Sequence, residues 1–313
     1  MAGRFLSLFG GLGRLGTLGA LIWLLLAAPG AAGAEPAAAD ALRARFAALR
    51  ASGSATVLDR AVYLQSREQS EQMHGEVYAV VDRPFAELRS ELARAAPWCG
   101  ILILHLNVKY CRATSGAAGE VLVAGVGRKF DQPLDGVHWA RFAFSAPGAG
   151  EDFLHVELSA PTGPMSTYDY RISVESVPLA AGQTLLHMRY SWSFGLAAKW
   201  AMDVYLSTVG RGKAGLAVVG RKPDGQPVYS SGMRGVIERN TLRYYLAIDA
   251  YLASRALPPA ERFPRSLQLW FNGTERYAEQ LHEIDRDEYM AMKLREAQRQ
   301  ETVPPPPPPP PSR

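Results

Sequence analysis

Hydrophobic and polar residues alternate along five successive stretches in the middle of this 313-residue chain. Alternation with a period of two is typical of β-strands that bury one face and expose the other. Short segments with Gly, Pro or Asp separate the stretches, as in turns between antiparallel neighbours. The pattern therefore predicts an antiparallel meander with strands over 120–130, 137–145, 152–160, 167–177 and 183–194.

Helical patterns flank this meander on both sides. Before it, apolar residues at helical spacing from Leu42 to Leu49 predict a short helix, followed by linker to about residue 70. An alternating strand and a second helix come next. After the meander, the predicted elements are a helix over 196–209, a hairpin over 214–231, a long helix over 236–254 and further helix over 266–300 with an interruption near 272–273.

These elements divide the chain into a leader, a folded domain and a tail. Eight consecutive prolines favour a polyproline II segment, which cannot join a packed core. The predicted limits are a signal peptide over 1–34, an N-terminal helix and linker over 35–70, an α+β domain over 71–256, a C-terminal helical extension over 257–300 and a disordered proline-rich tail over 301–313.

Cys99 and Cys111 are the two cysteines of the chain, and the run between them is apolar on every side. Periodicity therefore does not distinguish a buried helix from a buried strand there. A disulfide needs Cα atoms within about 7 Å, whereas a straight helix or strand of this length would separate them by about 18 or 40 Å. A disulfide thus requires the chain to reverse direction, and two buried free thiols are the alternative.

The order of elements predicts an α+β fold, with a curved antiparallel sheet wrapped around the long C-terminal helix. In this layout, residues 73–254 resemble the START-like, helix-grip superfamily of lipid-transfer and birch-pollen-allergen-type proteins. Segments 98–109 and 239–245 are also similar to uncharacterised exported bacterial proteins of this layout. The resemblance implies a cavity for a lipid or another hydrophobic small molecule between sheet and helix.

Aromatic residues on the predicted strand faces fit such a cavity, because Tyr and Trp combine an apolar body with a polar tip that suits an amphiphilic ligand. A core filled by the same side chains would give the same sequence pattern, so both interpretations remain open. The candidate ligand-binding residues are Phe142, Phe144, Tyr168, Tyr170, Tyr190, Trp192, Tyr244 and Ile248.

The sequence contains no catalytic motif of the G-x-S-x-G, P-loop, dinucleotide-binding or H-E-x-x-H type. His155 and Glu157 share a strand face, but without a third ligand nearby we expect no metal and no cofactor. His105 lies in an apolar run and is expected to be buried. We favour non-catalytic binding. A hydrolase- or cyclase-type enzyme in the same cavity, or an envelope interaction module whose proline tail binds an unknown protein partner, is the alternative.

The first 34 residues indicate export. Arg4 and Arg14 precede an apolar stretch over 15–28, and Ala32 and Ala34 give a small-x-small cleavage pattern. The Ala- and Arg-rich composition favours a bacterial source, so the expected location is periplasmic or secreted, after cleavage near Ala34. Peripheral membrane contact is left open.

The charge of the chain is close to balanced. Lys and Arg total 34 and Asp and Glu total 30, and two of the arginines belong to the leader. This balance argues against a nucleic-acid partner, which needs a concentrated basic face. The densest basic stretch, 234–243, contains Glu238 and is expected to be the solvated side of a helix.

Overall fold

The computed structural model describes residues 34–53, 61–116, 119–196, 199–200, 202, 204, 208 and 212–307. The predicted signal peptide therefore lies almost wholly outside the described residues, as do much of the predicted helix over 196–209 and the end of the proline tail. Among the helices that the structure describes, none combines the length and the apolar character needed to cross a bilayer.

Strands and helices follow the predicted α+β order. The strands are β1 (Val62–Gln69), β2 (Gln72–Val81), β3 (Val108–Gly116), β4 (Gly119–Val126), β5 (His138–Ala149), β6 (Leu154–Thr162), β7 (Thr167–Pro178), β8 (Thr184–Phe194), β9 (Val218–Arg221) and β10 (Pro227–Tyr229). The helices are α1 (Ala34–Ala51), α2 (Phe85–Leu92), α3 (Ala95–Leu102), α4 (Gly232–Ser254), α5 (Pro259–Glu275), α6 (Ala278–Leu281) and α7 (Arg286–Thr302).

Within the described residues, eight strands form one antiparallel sheet in the order β1-β2-β8-β7-β6-β5-β4-β3. The five strands of the predicted meander are β4 to β8, and the predicted hairpin is β9 with β10. Strand β1 corrects the prediction of a linker to about residue 70. Its second half, Ser66–Gln69, is polar and mostly exposed, so it carries no alternating signal. Pairing with β2 along its whole length defines this strand.

The long helix α4 packs across one face of the sheet, where it contacts β1, β2 and β8. Gly75 permits the close approach on β2, since a Cβ atom there would collide with Thr241 of α4. On the opposite face lies α1, whose Leu42 and Phe46 pack in a cluster with Tyr78 of β2. The sheet and α4 together form the helix-grip arrangement that the element order predicts.

The C-terminal helices close the other side of α4 and one edge of the sheet. Helix α5 packs along α4, and α7 packs on β3. The predicted interruption near 272–273 lies slightly further along the chain, because α5 continues to Glu275 and α6 begins at Ala278. Gly273 lies against Leu246, and a Cβ at Gly273 would stand 2.9 Å from a methyl carbon of Leu246. This glycine therefore serves close helix packing and does not end the helix.

Helix α7 is held to β3 by three fully buried charged residues, Lys109, Lys293 and Glu296, which we call the buried ion cluster. The two Glu296 carboxylate oxygens lie 3.1 Å from Lys109 Nζ and 2.8 Å from Lys293 Nζ. Lys293 also donates to the carbonyls of His105 at 2.7 Å and Val108 at 2.9 Å. Burial lowers the pKa of Lys109, and it lowers the pKa of Lys293 to about 8.

Cys99 and Cys111 form a disulfide, with their Cα atoms 5.1 Å apart. The apolar run between them is first helix and then strand, since α3 ends at Leu102 and β3 begins at Val108. The chain reverses direction between these two elements, as a bond between the two cysteines requires. The disulfide ties α3, which packs beneath α4, to the strand that α7 covers.

Replacement of both Cys99 and Cys111 by alanine is expected to lower the free energy of unfolding by about 3 kcal/mol, because the unfolded chain regains the entropy of the open loop. Urea denaturation of the wild type and the double variant measures the difference. A reducing agent should destabilise the wild type by a similar amount and leave the double variant unchanged. Equal stability of reduced and oxidised wild type would contradict this expectation.

Candidate ligand cavity

A cavity of about 420 Å³ lies between the sheet and α4. Its size falls within the range of small-molecule sites, about 300–1,000 Å³. The structure therefore has a cavity where the sequence also allowed a filled core. We use the term aromatic wall for the large rings that line the cavity from β5, β7, β8 and α4, namely Phe142, Tyr170, Tyr190, Trp192 and Tyr244.

The aromatic wall contains five of the eight predicted ligand-binding residues. Ile248 does not line the cavity, because it lies one turn beyond Tyr244 on α4 and is buried in the core. Phe144 follows Phe142 on the same face of β5, and it packs partly buried against the core outside the cavity. Both side chains lie on the predicted face of their element, but each is one step further along it than the last residue that lines the cavity.

Tyr168 is also outside the cavity, with 41% of its surface exposed. The register between β7 and β8 shifts between Tyr168 and Arg171, and Asp169 adopts a positive φ of 52°. This bulge inserts one extra residue, which places Tyr168 and Tyr170 on opposite faces of the strand. Thr167 lines the cavity instead, and its hydroxyl lies 2.7 Å from the Tyr170 hydroxyl.

At and beside this bulge, the charged residues of β6 and β7 pair with each other. Arg171 lies 3.4 Å from Asp169 and 2.9 Å from Glu157. Glu157 is therefore an ion-pair partner of Arg171, although it shares a strand face with His155. In the described part of the chain, no three His, Cys, Asp or Glu side chains lie together as potential ligands of a metal ion.

The rings of the cavity form a continuous series. Centroids are separated by 4.6 Å between His105 and Tyr244, 5.1 Å between Tyr244 and Tyr190, 6.3 Å between Tyr190 and Tyr170 and 6.4 Å between Tyr170 and Trp192. Burial raises the pKa of Tyr170, Tyr190 and Tyr244, and neighbouring phenols raise the pKa of Tyr190 and Tyr244 further. Their hydroxyls therefore stay neutral and offer hydrogen bonds to a polar group of a ligand.

His105 is buried, as expected, at the start of this series. Its Nδ1 accepts a hydrogen bond from the backbone N–H of Asn107 at 3.1 Å, so the ring hydrogen resides on Nε2. Burial, followed by the positive charges of Arg243, Lys293 and Lys129, lowers the pKa of His105 well below its usual value. The histidine is thus a neutral, polar member of the cavity lining.

Four basic side chains line the cavity near His105, and we call them the basic end. Arg128 and Lys129 follow β4, and Arg239 and Arg243 belong to α4. Because these two pairs of residues lie far apart in sequence, no local sequence pattern indicates that they share a site. No Asp or Glu is among the described residues that line this cavity.

The prediction that residues 234–243 form a solvated helix side is wrong for three charged residues, since Glu238, Arg239 and Arg243 are buried. The segment before β9 covers this side of α4. Glu238 accepts the backbone N–H groups of Leu216 at 2.7 Å and Ala217 at 2.9 Å. Arg239 donates to a backbone carbonyl of the same segment at 2.8 Å.

Glu283 forms ion pairs with three basic residues, two of which line the cavity. Its carboxylate lies 2.6 Å from Lys129 Nζ, 3.1 Å from Lys213 Nζ and 3.0 Å from Arg243 Nη2. Burial alone would raise the pKa of Glu283, but Arg243, Lys129 and Lys213 hold it at about 2. Burial, opposed by Glu283, lowers the pKa of Lys129 to about 8.

Acid is expected to destabilise the protein as pH falls from 4.5 towards 2, because Glu283 must then take up a proton. Its folded pKa of about 2 lies below the ordinary 4.5, so the charged form stabilises the fold fully above pH 4.5. This contribution, on the order of 3 kcal/mol, is lost as pH falls through the folded pKa. Urea unfolding between pH 7 and pH 2 measures it.

Glu283→Gln should be less stable than the wild type at pH 7, and its stability should fall less steeply in acid. Glu279→Gln is the matched control, because Glu279 is an exposed residue nearby. The control should follow the wild-type curve. A Glu283→Gln curve parallel to the wild type over this range would contradict the assignment.

The sheet, the long helix across its face and the cavity between them define a helix-grip protein with a candidate ligand site. No protein-family model and no curated protein matches the chain. A solved structure of norcoclaurine synthase from Thalictrum flavum is similar to this chain at 10% identity with a TM-score of 0.33, covering 46% of this chain and 89% of that one. Ara h 8.0201 is similar at 10% identity with a TM-score of 0.32, covering 59% of this chain and 99% of that one. Human StAR-related lipid transfer protein 5 is similar at 8% identity with a TM-score of 0.29, covering 55% of this chain and 88% of that one. Similarities this low carry no argument about ligand or reaction.

Proposed function

We propose that this protein is exported and binds a lipid or another hydrophobic small molecule, without catalysis, in the cavity between the sheet and α4. The observation that carries the proposal is a cavity of about 420 Å³ with a continuous aromatic wall and neutral tyrosine hydroxyls. Apolar walls with few polar groups are typical of small-molecule sites. The signal-peptide pattern of residues 1–34 and the Cys99–Cys111 disulfide support an oxidising compartment.

The direct test is uptake of N-phenyl-1-naphthylamine, an uncharged fluorophore that brightens in apolar surroundings, by protein purified without detergent. We expect saturable uptake with one site per chain. This diarylamine has no bond for a hydrolase to cleave, so its uptake reports binding alone. Absence of saturable uptake by the delipidated protein would overturn the proposal.

We propose further that the protein touches a membrane beside the cavity. Leu196 and Trp200 are each 74% exposed and Val204 is 59% exposed, at the four-residue spacing of one helical face. Met202 lies in the same segment and lines the cavity. Contact of this face with a bilayer would bring lipid next to the cavity, so a lipid surface is the partner that suits it.

Trp200→Ser is expected to weaken binding to vesicles of phosphatidylethanolamine and phosphatidylglycerol several-fold in co-sedimentation. The reason is that the indole ring of Trp200, once inserted into the bilayer interface, would bury much of the apolar area of the contact. Val219→Ser provides the control, because Val219 is an exposed apolar residue of the β9–β10 hairpin. Equal sedimentation of both variants and the wild type would argue against this face.

A further inference from the structure

Lys129 brings an amine to the lining of the cavity, and no other lysine is among the described residues there. Its side chain is 23% exposed, and its Nζ lies 2.6 Å from a carboxylate oxygen of Glu283. Buried lysines of this kind act as nucleophiles towards carbonyl compounds in many proteins. Because both cysteines are joined in the disulfide, the Lys129 amine is the strongest potential nucleophile of the described lining.

Hydrogen bonds anchor the segment that carries Lys129. The Gly127 N–H donates to the carbonyl of Asn107 at 2.7 Å, and the Asn107 side-chain amide donates back to the Gly127 carbonyl at 2.7 Å. The Arg128 N–H donates to the side-chain oxygen of Gln132 at 2.6 Å. The backbone on the N-terminal side of Lys129 is therefore fixed beside the cavity.

Lys129 lies at the end of the cavity where the series of rings begins. Its charge is among those that lower the pKa of His105, and the His105 ring stacks on Tyr244 at 4.6 Å. From Tyr244 the rings continue as far as Trp192. A molecule joined to Lys129 therefore has an apolar lining along which to extend.

Lys129 can lose its proton without leaving Glu283 unpaired. The Glu283 carboxylate also lies 3.1 Å from Lys213 Nζ and 3.0 Å from Arg243 Nη2, so two cations remain beside it. Burial, opposed by Glu283, lowers the pKa of Lys129 from 10.5 to about 8. At pH 7 the neutral amine is therefore on the order of a hundredfold more abundant on Lys129 than on an exposed lysine.

We propose that Lys129 forms a Schiff base with a hydrophobic aldehyde, whose apolar part lies along the aromatic wall, and that Glu283 is the counter-ion of the protonated imine. This inference rests on the proposed function, since it specifies the ligand of the same cavity as a carbonyl compound. Water reverses the reaction, so the protein holds the aldehyde without turning it over.

The reaction balances without a further reagent. The neutral Nζ of Lys129 attacks the carbonyl carbon, and one proton passes from Nζ to the carbonyl oxygen, which gives a carbinolamine. Loss of this oxygen as water, together with the second proton of Nζ, forms the C=N bond. The imine nitrogen then takes up a proton from solvent, and its positive charge replaces that of the original ammonium group beside Glu283.

The test is capture of dodecanal by the full chain at pH 7, with sodium cyanoborohydride present to reduce the imine to a stable secondary amine. Intact mass counts the dodecyl groups, and peptide mapping locates them. We expect the first group on Lys129, formed at least about tenfold faster than on any exposed lysine, because more of its amine is neutral. Propanal, which has the same carbonyl on a short chain, should modify Lys129 several-fold more slowly, and excess 1-dodecanol should slow the capture of dodecanal.

Two variants test the role of the Lys129 amine. Lys129→Arg keeps a positive charge beside Glu283, but a guanidinium group stays protonated and forms no imine, so the rapid adduct should disappear. Lys213→Arg is the matched control, because Lys213 also pairs with Glu283 but does not line the cavity. The control should keep both the adduct and the uptake of N-phenyl-1-naphthylamine. Circular dichroism establishes that both variants are folded, and the peptide map of the wild type needs no variant.

The outcomes separate this inference from the proposed function. A wild-type protein that takes up N-phenyl-1-naphthylamine but carries no rapid adduct on Lys129 overturns the inference while the proposed function stands. An equally rapid adduct in folded Lys129→Arg has the same consequence. Equal rates with propanal and dodecanal also overturn the inference, because the cavity would then contribute nothing to the choice of aldehyde. A protein that takes up neither the probe nor the aldehyde overturns both.

Discussion

Replacement of Glu296 by glutamine is expected to lower the free energy of unfolding by about 3–5 kcal/mol, the usual effect of removing one partner of a buried ion pair. Glutamine has nearly the same shape, so the loss is one of charge. Lys109 and Lys293 would then remain buried from solvent without the carboxylate that pairs with both of them. Both lysines would have to lose their protons or draw water inside.

The effect of this substitution should extend beyond α7. Lys293 donates to the carbonyls of His105 and Val108, so the buried ion cluster fixes the turn that carries His105 into the cavity. Loosening this turn should weaken probe uptake as well as stability.

Urea denaturation at pH 7 measures the difference, and Glu301→Gln provides the matched control. Glu301 lies on the same helix, about one and a half turns further on, and is exposed. Its replacement should change stability by no more than about 0.5 kcal/mol. A Glu296→Gln variant as stable as the control would show that the buried ion cluster does not hold α7 in place.

Ala140→Trp is expected to reduce the affinity for N-phenyl-1-naphthylamine at least tenfold. Ala140 is buried on β5 and lines the cavity, so an indole at this position occupies space that the ligand needs. The cavity of about 420 Å³ has room for the new ring. The variant should therefore retain its fold while losing the site.

Ala143→Trp is the matched control on the same strand, because Ala143 is exposed and does not line the cavity. The control should bind the probe as the wild type does. Circular dichroism and urea unfolding establish that both variants are folded. Undiminished uptake by a folded Ala140→Trp protein would place the binding site elsewhere.

The meander could be predicted because β4 to β8 alternate apolar and polar residues between clear turn signals. For Cys99 and Cys111, distance limits showed only that a disulfide requires the chain to reverse, and the structure decides between the bond and two free thiols. Strand β1 could not be predicted in the same way. Its outer half is polar, and its pairing with β2, rather than its own pattern, makes it a strand.

The aromatic wall was largely predictable, but the basic end was not. Alternation identified Tyr170, Tyr190 and Trp192 as inward-facing, whereas the bulge at Asp169, which turns Tyr168 outward, has no counterpart in the alternation. Arg243 belongs to the densest basic stretch, which usually indicates a solvated face. It is buried because Glu283, 40 residues further on, covers it, and such distant covering is not visible in local periodicity.

Native mass spectrometry of the protein, purified without detergent or refolding, tests the central claim that the cavity holds an amphiphile. We predict a mass excess that disappears on denaturation, a lipid or another hydrophobic small molecule in the organic extract, and loss of that excess in Ala140→Trp but not in Ala143→Trp. A wild-type protein with no mass excess, which also fails to take up dodecanoate, dodecyl phosphate or dodecanol when they are added, would contradict the account.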